Sequence, residues 1–307
     1  MNQHKPASRA PSTRRLPARF VRRNGVDPAW LAGLPAVVDR FAQRWSLAVD
    51  PPFPGIEYNF VAPATRGDGT RCVFKLSREV DETRNEIAAL RLWNGAGAVR
   101  LLEAEPNQGA LLLERLEPGT ALLEVASADD DRATRIAVEV LRQLWRPARP
   151  EDGLRSLERW CDGYERNRAA LHAGAGGFPA ALFDRADAMR RELLASTPIA
   201  SALHGDLHHY NILRAQRADW LAIDPKGLMG DRAFDVCQFF RNPDFDRPPA
   251  RRVNARRLDI FCAGLELDRQ RVKDWGLVHA VLDACWQYED GNDWRPAVAY
   301  AEQTMLF

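Results

Sequence analysis

The segment Ala202-Leu203-His204-Gly205-Asp206-Leu207-His208-His209-Tyr210-Asn211 constrains this chain more than any other. It gathers three of the six histidines, a carboxylate and a carboxamide into ten residues. His204 and His208 are four apart, the spacing that places two imidazoles on one helical face around zinc. Three features oppose zinc. The helical zinc motif needs an acid directly after its first histidine, where this chain has Gly205. Ala200-Ser201-Ala202-Leu203 reads as a strand, and glycine weakens a helix interior. No third ligand stands at a recognisable spacing. What remains is His-x-Asp-Leu-x-x-x-Asn, carried by His204, Asp206, Leu207 and Asn211.

These are the residue types that phosphoryl transfer to a hydroxyl needs. A carboxylate, Asp206, orients the hydroxyl and accepts its proton, and a neutral oxygen ligand, Asn211, helps hold magnesium. The spacing is that of the kinase catalytic loop, with glycine replacing arginine. Magnesium also favours a carboxylate together with substrate phosphates. An acid is therefore expected downstream at a strand end. Asp224 supplies it, closing Trp220-Leu221-Ala222-Ile223 thirteen residues after Asn211.

Upstream, the same chemistry predicts a strand lysine and a helix glutamate. The chain has only four lysines, and Lys75 lies in the strand-like Val73-Phe74-Lys75-Leu76. Glu86 follows on a predicted helix, with Leu90 and Trp93 on its face. Any one of these matches reads as a turn acid, strand cap or surface charge. Their order, Lys75, Glu86, Asp206, Asn211, Asp224, is what carries weight. No Gly-x-Gly-x-x-Gly precedes Lys75; Gly55-Ile56-Glu57-Tyr58-Asn59-Phe60 stands there, so a nucleotide lid would use other backbone and Asn59.

The rest of the chain divides in two. Asp27-Pro28 is a helix start, and residues near 58–64 and 71–76 flank Asp68-Gly69 as a hairpin. A helix over about 81–93 and strands near 99–103 and 110–116 complete a small α+β unit. After Pro118-Gly119 the pattern is mostly helical, interrupted by short strands at 201–203, 212–214 and 220–223. The expected organisation is a basic disordered tail over 1–25, a nucleotide-binding N-lobe over 26–115 and a helical C-lobe over 116–307. The first 25 residues carry seven basic residues and no acid, but Pro6, Pro11 and Pro17 break up any long presequence helix. A net charge of +1 gives no reason to expect nucleic acid. No apolar run is long enough for a membrane span. Five scattered cysteines without a Cys-x-x-Cys pair suggest reduced, buried thiols and a cytoplasmic setting.

His204-Gly205-Asp206-Leu207-His208 with Asn211-Ile212-Leu213 resembles the catalytic motif of the aminoglycoside phosphotransferase family. Pro52-Phe53-Pro54-Gly55, Val61-Ala62-Pro63-Ala64, Asp68-Gly69-Thr70 and Ile223-Asp224-Pro225-Lys226-Gly227 are similar to its streptomycin 6-kinase and hydroxyurea phosphotransferase branch. The resemblance covers roughly residues 28–307. It implies a bilobal, protein-kinase-like α+β fold with a sheet-containing N-lobe and a mainly helical C-lobe. It also implies ATP and Mg2+ as cofactors and a small-molecule hydroxyl as acceptor. Carried over, Asp206 is the base, Asn211 and Asp224 hold magnesium, and Lys75 with Glu86 positions the phosphates. Glu114 and Leu116 flank Arg115 in a hinge whose backbone meets adenine. Asp235 resembles an aspartate that braces the catalytic loop.

Streptomycin carries guanidinium groups and calls for an acidic pocket. Asp162, Glu165, Asp231, Asp283, Glu289 and Asp290 are candidates, with Trp286 and Tyr288 able to stack on cations. His208, Asp231, Glu289 and Asp290 are the expected acceptor residues. Hydroxyurea, small and neutral, needs no such pocket. Another metabolite such as an amino alcohol or a sugar, or a pseudokinase without transfer, are the remaining readings. The protein is expected to act as a monomer or weak dimer.

Overall fold

A computed structural model describes residues 16–25, 27–244 and 249–304. The Cα packing divides the chain into two compact units. One comprises the residues up to Val80 with Leu102–Arg115, the other Asp81–Leu101 with the chain from Leu116 onward.

The first unit is a five-stranded sheet with two helices. Its strands are β1 (Leu47–Val49), β2 (Phe60–Arg66), β3 (Arg71–Leu76), β4 (Leu101–Glu105) and β5 (Ala110–Glu114), in the order β1-β2-β3-β5-β4. The hairpin forms where Asp68-Gly69 predicts it. Gly69 takes φ +88°, and the Asp68 carboxylate accepts from the Thr70 N–H at 2.8 Å. Alternation along β2 turns Phe60, Ala62 and Ala64 inward. Helix α2 (Pro28–Arg44) starts with proline at its first position, and the Asp27 side chain accepts from the Trp30 N–H. Its inner face, Leu34, Val38 and Phe41, joins Phe60 and Phe74 in one apolar core.

Helix α1 (Ala18–Asn24) corrects the expected tail. Within the stretch expected to be disordered, Phe20 is fully buried in that same core, and Arg19 pairs with Glu57 at 2.9 Å. Burial of one phenylalanine side chain, worth about 1.5–3 kcal/mol, contributes to holding this short helix in place. Residues 1–15 of the expected tail lie outside the described residues.

The second unit begins with α3 (Val80–Trp93), so residues 81–101 group with the helical part of the chain. It continues through α4 (Leu123–Ala128), α5 (Asp130–Leu144), α6 (Leu157–Trp160), α7 (Gly163–His172) and α8 (Ala180–Ala195). After the strand region come α9 (Arg232–Asp235), α10 (Arg251–Leu265), α11 (Arg269–Glu289) and α12 (Arg295–Thr304). The 21-residue α11 is buried on most sides, through Trp275, Val278, Val281, Leu282 and Cys285. Two small sheets carry the site. β6 (Arg155–Ser156), β10 (Leu228–Gly230) and β7 (Ser201–Leu203) form one, in the order β6-β10-β7. β8 (Ile212–Arg214) and β9 (Trp220–Ala222) form the other. Strand β10 has only three residues, too few to show a period; pairing with β7 creates it. All five cysteines are free and four are buried. Among the described residues no helix is long and apolar enough to cross a membrane.

Candidate active site

The loop that leaves β7 is shaped by Gly205. Its φ of +81° is left-handed, and a Cβ there would lie 2.8 Å from Leu228 and 3.1 Å from the Lys226 Cβ. Only glycine fits such a turn without displacement. Asp235, at the end of α9, braces this turn from beneath. Its carboxylate accepts from the Gly205 N–H at 2.7 Å, the His204 N–H at 3.0 Å and the Trp145 indole N–H at 2.9 Å. Burial pushes the Asp235 carboxyl up, and the backbone and indole donors pull it back.

His204 is buried and structural. Its Nδ1 accepts from the Asp206 N–H at 3.2 Å, so the proton sits on Nε2, 2.9 Å from the Ile223 carbonyl. Both ring nitrogens are engaged, and burial lowers its pKa to about 3. Trp93 stacks against the ring and donates its indole N–H to the Leu144 carbonyl at 2.9 Å. The zinc-like spacing therefore serves to tie β7 to the end of β9.

Asp206 follows, half-buried. Burial raises its pKa; His208 and Lys226 oppose the rise, while the Asp224 charge adds to it. The Gln238 side chain also holds the Asp206 pKa down. His208 places Nε2 3.7 Å from Asp206 Oδ1, and its own pKa is lowered by burial, so it is neutral near pH 7. Asn211 donates from Nδ2 to the Asp206 carbonyl at 2.9 Å, and its carbonyl accepts from the Ile223 N–H at 2.9 Å. Asp224 comes next in chain, at φ +58°. A non-glycine residue held left-handed is costly and is characteristic of functional sites.

Asp206, His208, Asn211 and Asp224 are thus gathered on one pair of cross-tied loops. Asn211 spends its Nδ2 on the protein, which turns its amide oxygen away from that contact. One carboxylate, one amide oxygen and nucleotide phosphates are the hard-oxygen set that suits magnesium. Among the described residues no cluster of three histidine, cysteine or acidic side chains could hold a metal by itself.

The loop after Asp224 also packs on α3. Gly227 has φ +63°, and a Cβ there would lie 2.2 Å from the Asn85 carbonyl oxygen. Lys226 donates its N–H to the His204 carbonyl at 2.8 Å and reaches Glu82 Oε2 of α3 at 3.3 Å. Glu86 lies one turn further along α3 and is 5% exposed. Leu116 is half-buried at the start of the chain's return into this unit. In the first unit, Lys75 is the penultimate residue of β3, opposite Val61 and Leu111, and is 4% exposed. Asn59 precedes β2 and Glu114 ends β5, both half-buried.

Most of the expected acceptor acids are already neutralised. Asp231 caps α9 and accepts from Arg271 at 2.5 Å and from the Trp275 indole at 2.7 Å. Glu289 holds Arg166 at 2.7 Å and Asn167 at 2.7 Å. Glu165 and Asp283 pair with Arg190 and Arg241, each at 2.7 Å. Asp231 and Glu289, both expected at the acceptor, are engaged here by Arg271 and Arg166. The cause is compositional: 43 basic residues less four lysines leaves 39 arginines, whose planar forks pair readily with acids. Asp290 ends α11 and is exposed. Two contributors escaped sequence reasoning. Gln238 follows Asp235 by three residues, which a helical turn makes a neighbour, but nothing local marks Trp145.

The sequence profile of the aminoglycoside/hydroxyurea antibiotic resistance kinases matches residues 44–291. A streptomycin 6-kinase of Streptomyces glaucescens is 37% identical over 283 residues, 90% of this chain and 91% of that protein. A hydroxyurea phosphotransferase of Kitasatospora aureofaciens is 36% identical, over 89% of this chain and 79% of that protein. Among solved structures, aminoglycoside phosphotransferase APH(4)-Ia superposes with a TM-score of 0.60 at 13% identity, covering 88% of this chain and 96% of that one. That likeness establishes the fold as protein-kinase-like. A braced Asp206 loop beside Asn211 and Asp224, and a profile match spanning most of the chain, place this protein in the aminoglycoside/hydroxyurea antibiotic resistance kinase family.

Proposed function

We propose that the chain is an ATP-dependent O-phosphotransferase that modifies a hydroxyl of a streptomycin-like aminoglycoside. The observation that carries this reading is the half-buried Asp206 carboxylate on a turn held by three donors to Asp235. A base of this kind must be fixed within hydrogen-bond reach of the acceptor hydroxyl. Its raised pKa makes it a better proton acceptor than a free aspartate.

In this mechanism Asp206 orients the acceptor hydroxyl and takes its proton as the oxygen attacks the terminal phosphorus and the bond from that phosphorus to the bridging oxygen of ADP breaks. Neutral His208 lines the same edge and adds no competing charge. Asn211 and Asp224 would hold magnesium, which when bound neutralises charge on the nucleotide phosphates. Lys75 is the residue proposed for the phosphates and Glu86 the acid proposed to position it, a reading that rests on their order in the sequence. Glu114 and Leu116 flank the adenine-facing backbone, and Asn59 contributes to the lid.

A second acceptor class is favoured by one observation. With Asp231, Glu289, Glu165 and Asp283 bound to arginines, the candidate anionic pocket is reduced to Asp162 and Asp290. A small neutral acceptor such as hydroxyurea fits that better than a doubly guanidinylated one. ATP turnover measured across streptomycin, other aminoglycosides, hydroxyurea, amino alcohols and sugars tests the assignment. Streptomycin-dependent ADP release is the expected result. Turnover with hydroxyurea alone would transfer the assignment to the second class. Turnover with none, alongside ATP binding, would mark a pseudokinase.

A further inference from the structure

Lys226 carries a charge that the mechanism above leaves unused. Its backbone is pinned through the 2.8 Å hydrogen bond to the His204 carbonyl, and its Cβ lies against Gly205, one residue from Asp206. From this fixed base the flexible stem reaches α3, where the ammonium meets Glu82 at 3.3 Å. The carboxylates of Asp224 and Asp206 also act on the ammonium. The Lys226 and Glu82 side chains are 29% and 45% exposed. A pair that open contributes only about 0–1 kcal/mol, so stability does not account for a lysine anchored at this point. In the proposed reaction two acids, Asp206 and Asp224, would stand near a nucleotide that is itself strongly anionic, and charge would develop on the transferring group. A cation fixed by the protein is worth most there.

Resting on the kinase reading, we propose that Lys226 is a second phosphate-directed cation, serving the terminal phosphoryl group, and that Glu82 holds its ammonium until nucleotide binds. The bound phosphoryl oxygen then displaces the Glu82 carboxylate. Because the Lys226 backbone stays tied to His204, the ammonium swings while Asp206 keeps its place.

The test compares binding of AMP-PNP and ADP, with magnesium, and turnover, in the full-length protein. Lys226→Met is expected to lose about tenfold in AMP-PNP affinity while ADP affinity is unchanged. Its kcat should fall by about 10²-fold, with Lys226→Arg recovering part of the loss. Equal loss of both nucleotides, or an unchanged AMP-PNP to ADP ratio, would overturn the proposal. Glu82→Gln provides the independent check should Lys226→Met fold poorly. Releasing the ammonium should retain or raise AMP-PNP affinity, whereas a selective loss would show the pair to be a structural clamp. Wild-type protein that binds neither nucleotide would reject the kinase reading itself, a result distinct from either variant's failure.

Discussion

The Asp235 carboxylate lies 2.7 Å from the Gly205 nitrogen and 3.0 Å from the His204 nitrogen, so a single acid grips the turn that presents Asp206. The Trp145 indole supplies a third donor from 90 residues away in sequence. Asp235→Ala leaves these donors without an acceptor, at about 1–3 kcal/mol each. The expected outcome is a melting temperature lower by roughly 10 °C and a fall in kcat. A variant with wild-type melting behaviour would remove Asp235 from this bracing role.

Asp206→Ala removes the proposed base without touching the loop's backbone bonds. We expect kcat to fall by about 10²- to 10⁴-fold with nucleotide affinity nearly unchanged, read by steady-state turnover and nucleotide titration. The wild-type pH profile carries the same signature. Asp206 must be ionised to act, and its pKa is raised, so activity is lost on acidification at a pH above the free aspartate value of about 3.9.

Asp224→Ala should weaken magnesium-dependent nucleotide binding more than it affects the acceptor's KM. Titrating magnesium at fixed ATP measures this directly. An unchanged magnesium requirement would exclude Asp224 as a ligand.

Gly227→Ala would bring a methyl group to 2.2 Å from the Asn85 carbonyl oxygen, at a φ of +63°. Neither backbone can yield cheaply, and overpacking of this kind costs about 1–3 kcal/mol before strain is added. Loss of thermal stability, with a shifted loop after Asp224, is the expected result. By contrast Gly55→Ala meets nothing within 4 Å and should be neutral in the same melting assay.

Three buried histidines set the acid limit of stability. Burial holds His204 at about 3, His209 at about 2 and His279 at about 4. Each is neutral in the folded protein but takes up a proton in the unfolded chain below about 6.5. Unfolding then binds protons, so stability is complete above that pH and falls as pH drops through the window from about 6.5 towards these lower values. Each histidine contributes up to about 1.4 kcal/mol per pH unit. Urea midpoints at pH 7, 6 and 5 should decline in step, and His279→Gln should flatten the decline.

Much of this molecule is written locally. Asp27-Pro28 starts a helix, and Asp68-Gly69 closes a hairpin, because capping and turn chemistry are decided within three or four residues. The strands that present Lys75, Asn211 and Asp224 are likewise legible from short apolar runs bounded by turn residues. The spacing of Asp206, Asn211 and Asp224 is enough to nominate them, since one reaction demands those residue types in that order.

What the sequence could not determine is which charges find partners across long stretches of chain. Glu82 and Lys226 are 144 residues apart, and Asp231 and Arg271 are 40 apart. Nothing near Asp231 distinguishes a helix cap gripped by arginine from an acid free to receive substrate. Phe20 reads as part of a basic tail until an apolar surface formed by α2 and the sheet gives it somewhere to bury. Local periodicity and turn chemistry are properties of neighbouring residues and survive in the sequence. Burial, ion pairing and the closeness of Gly227 to Asn85 are properties of surfaces that exist only once the chain has folded.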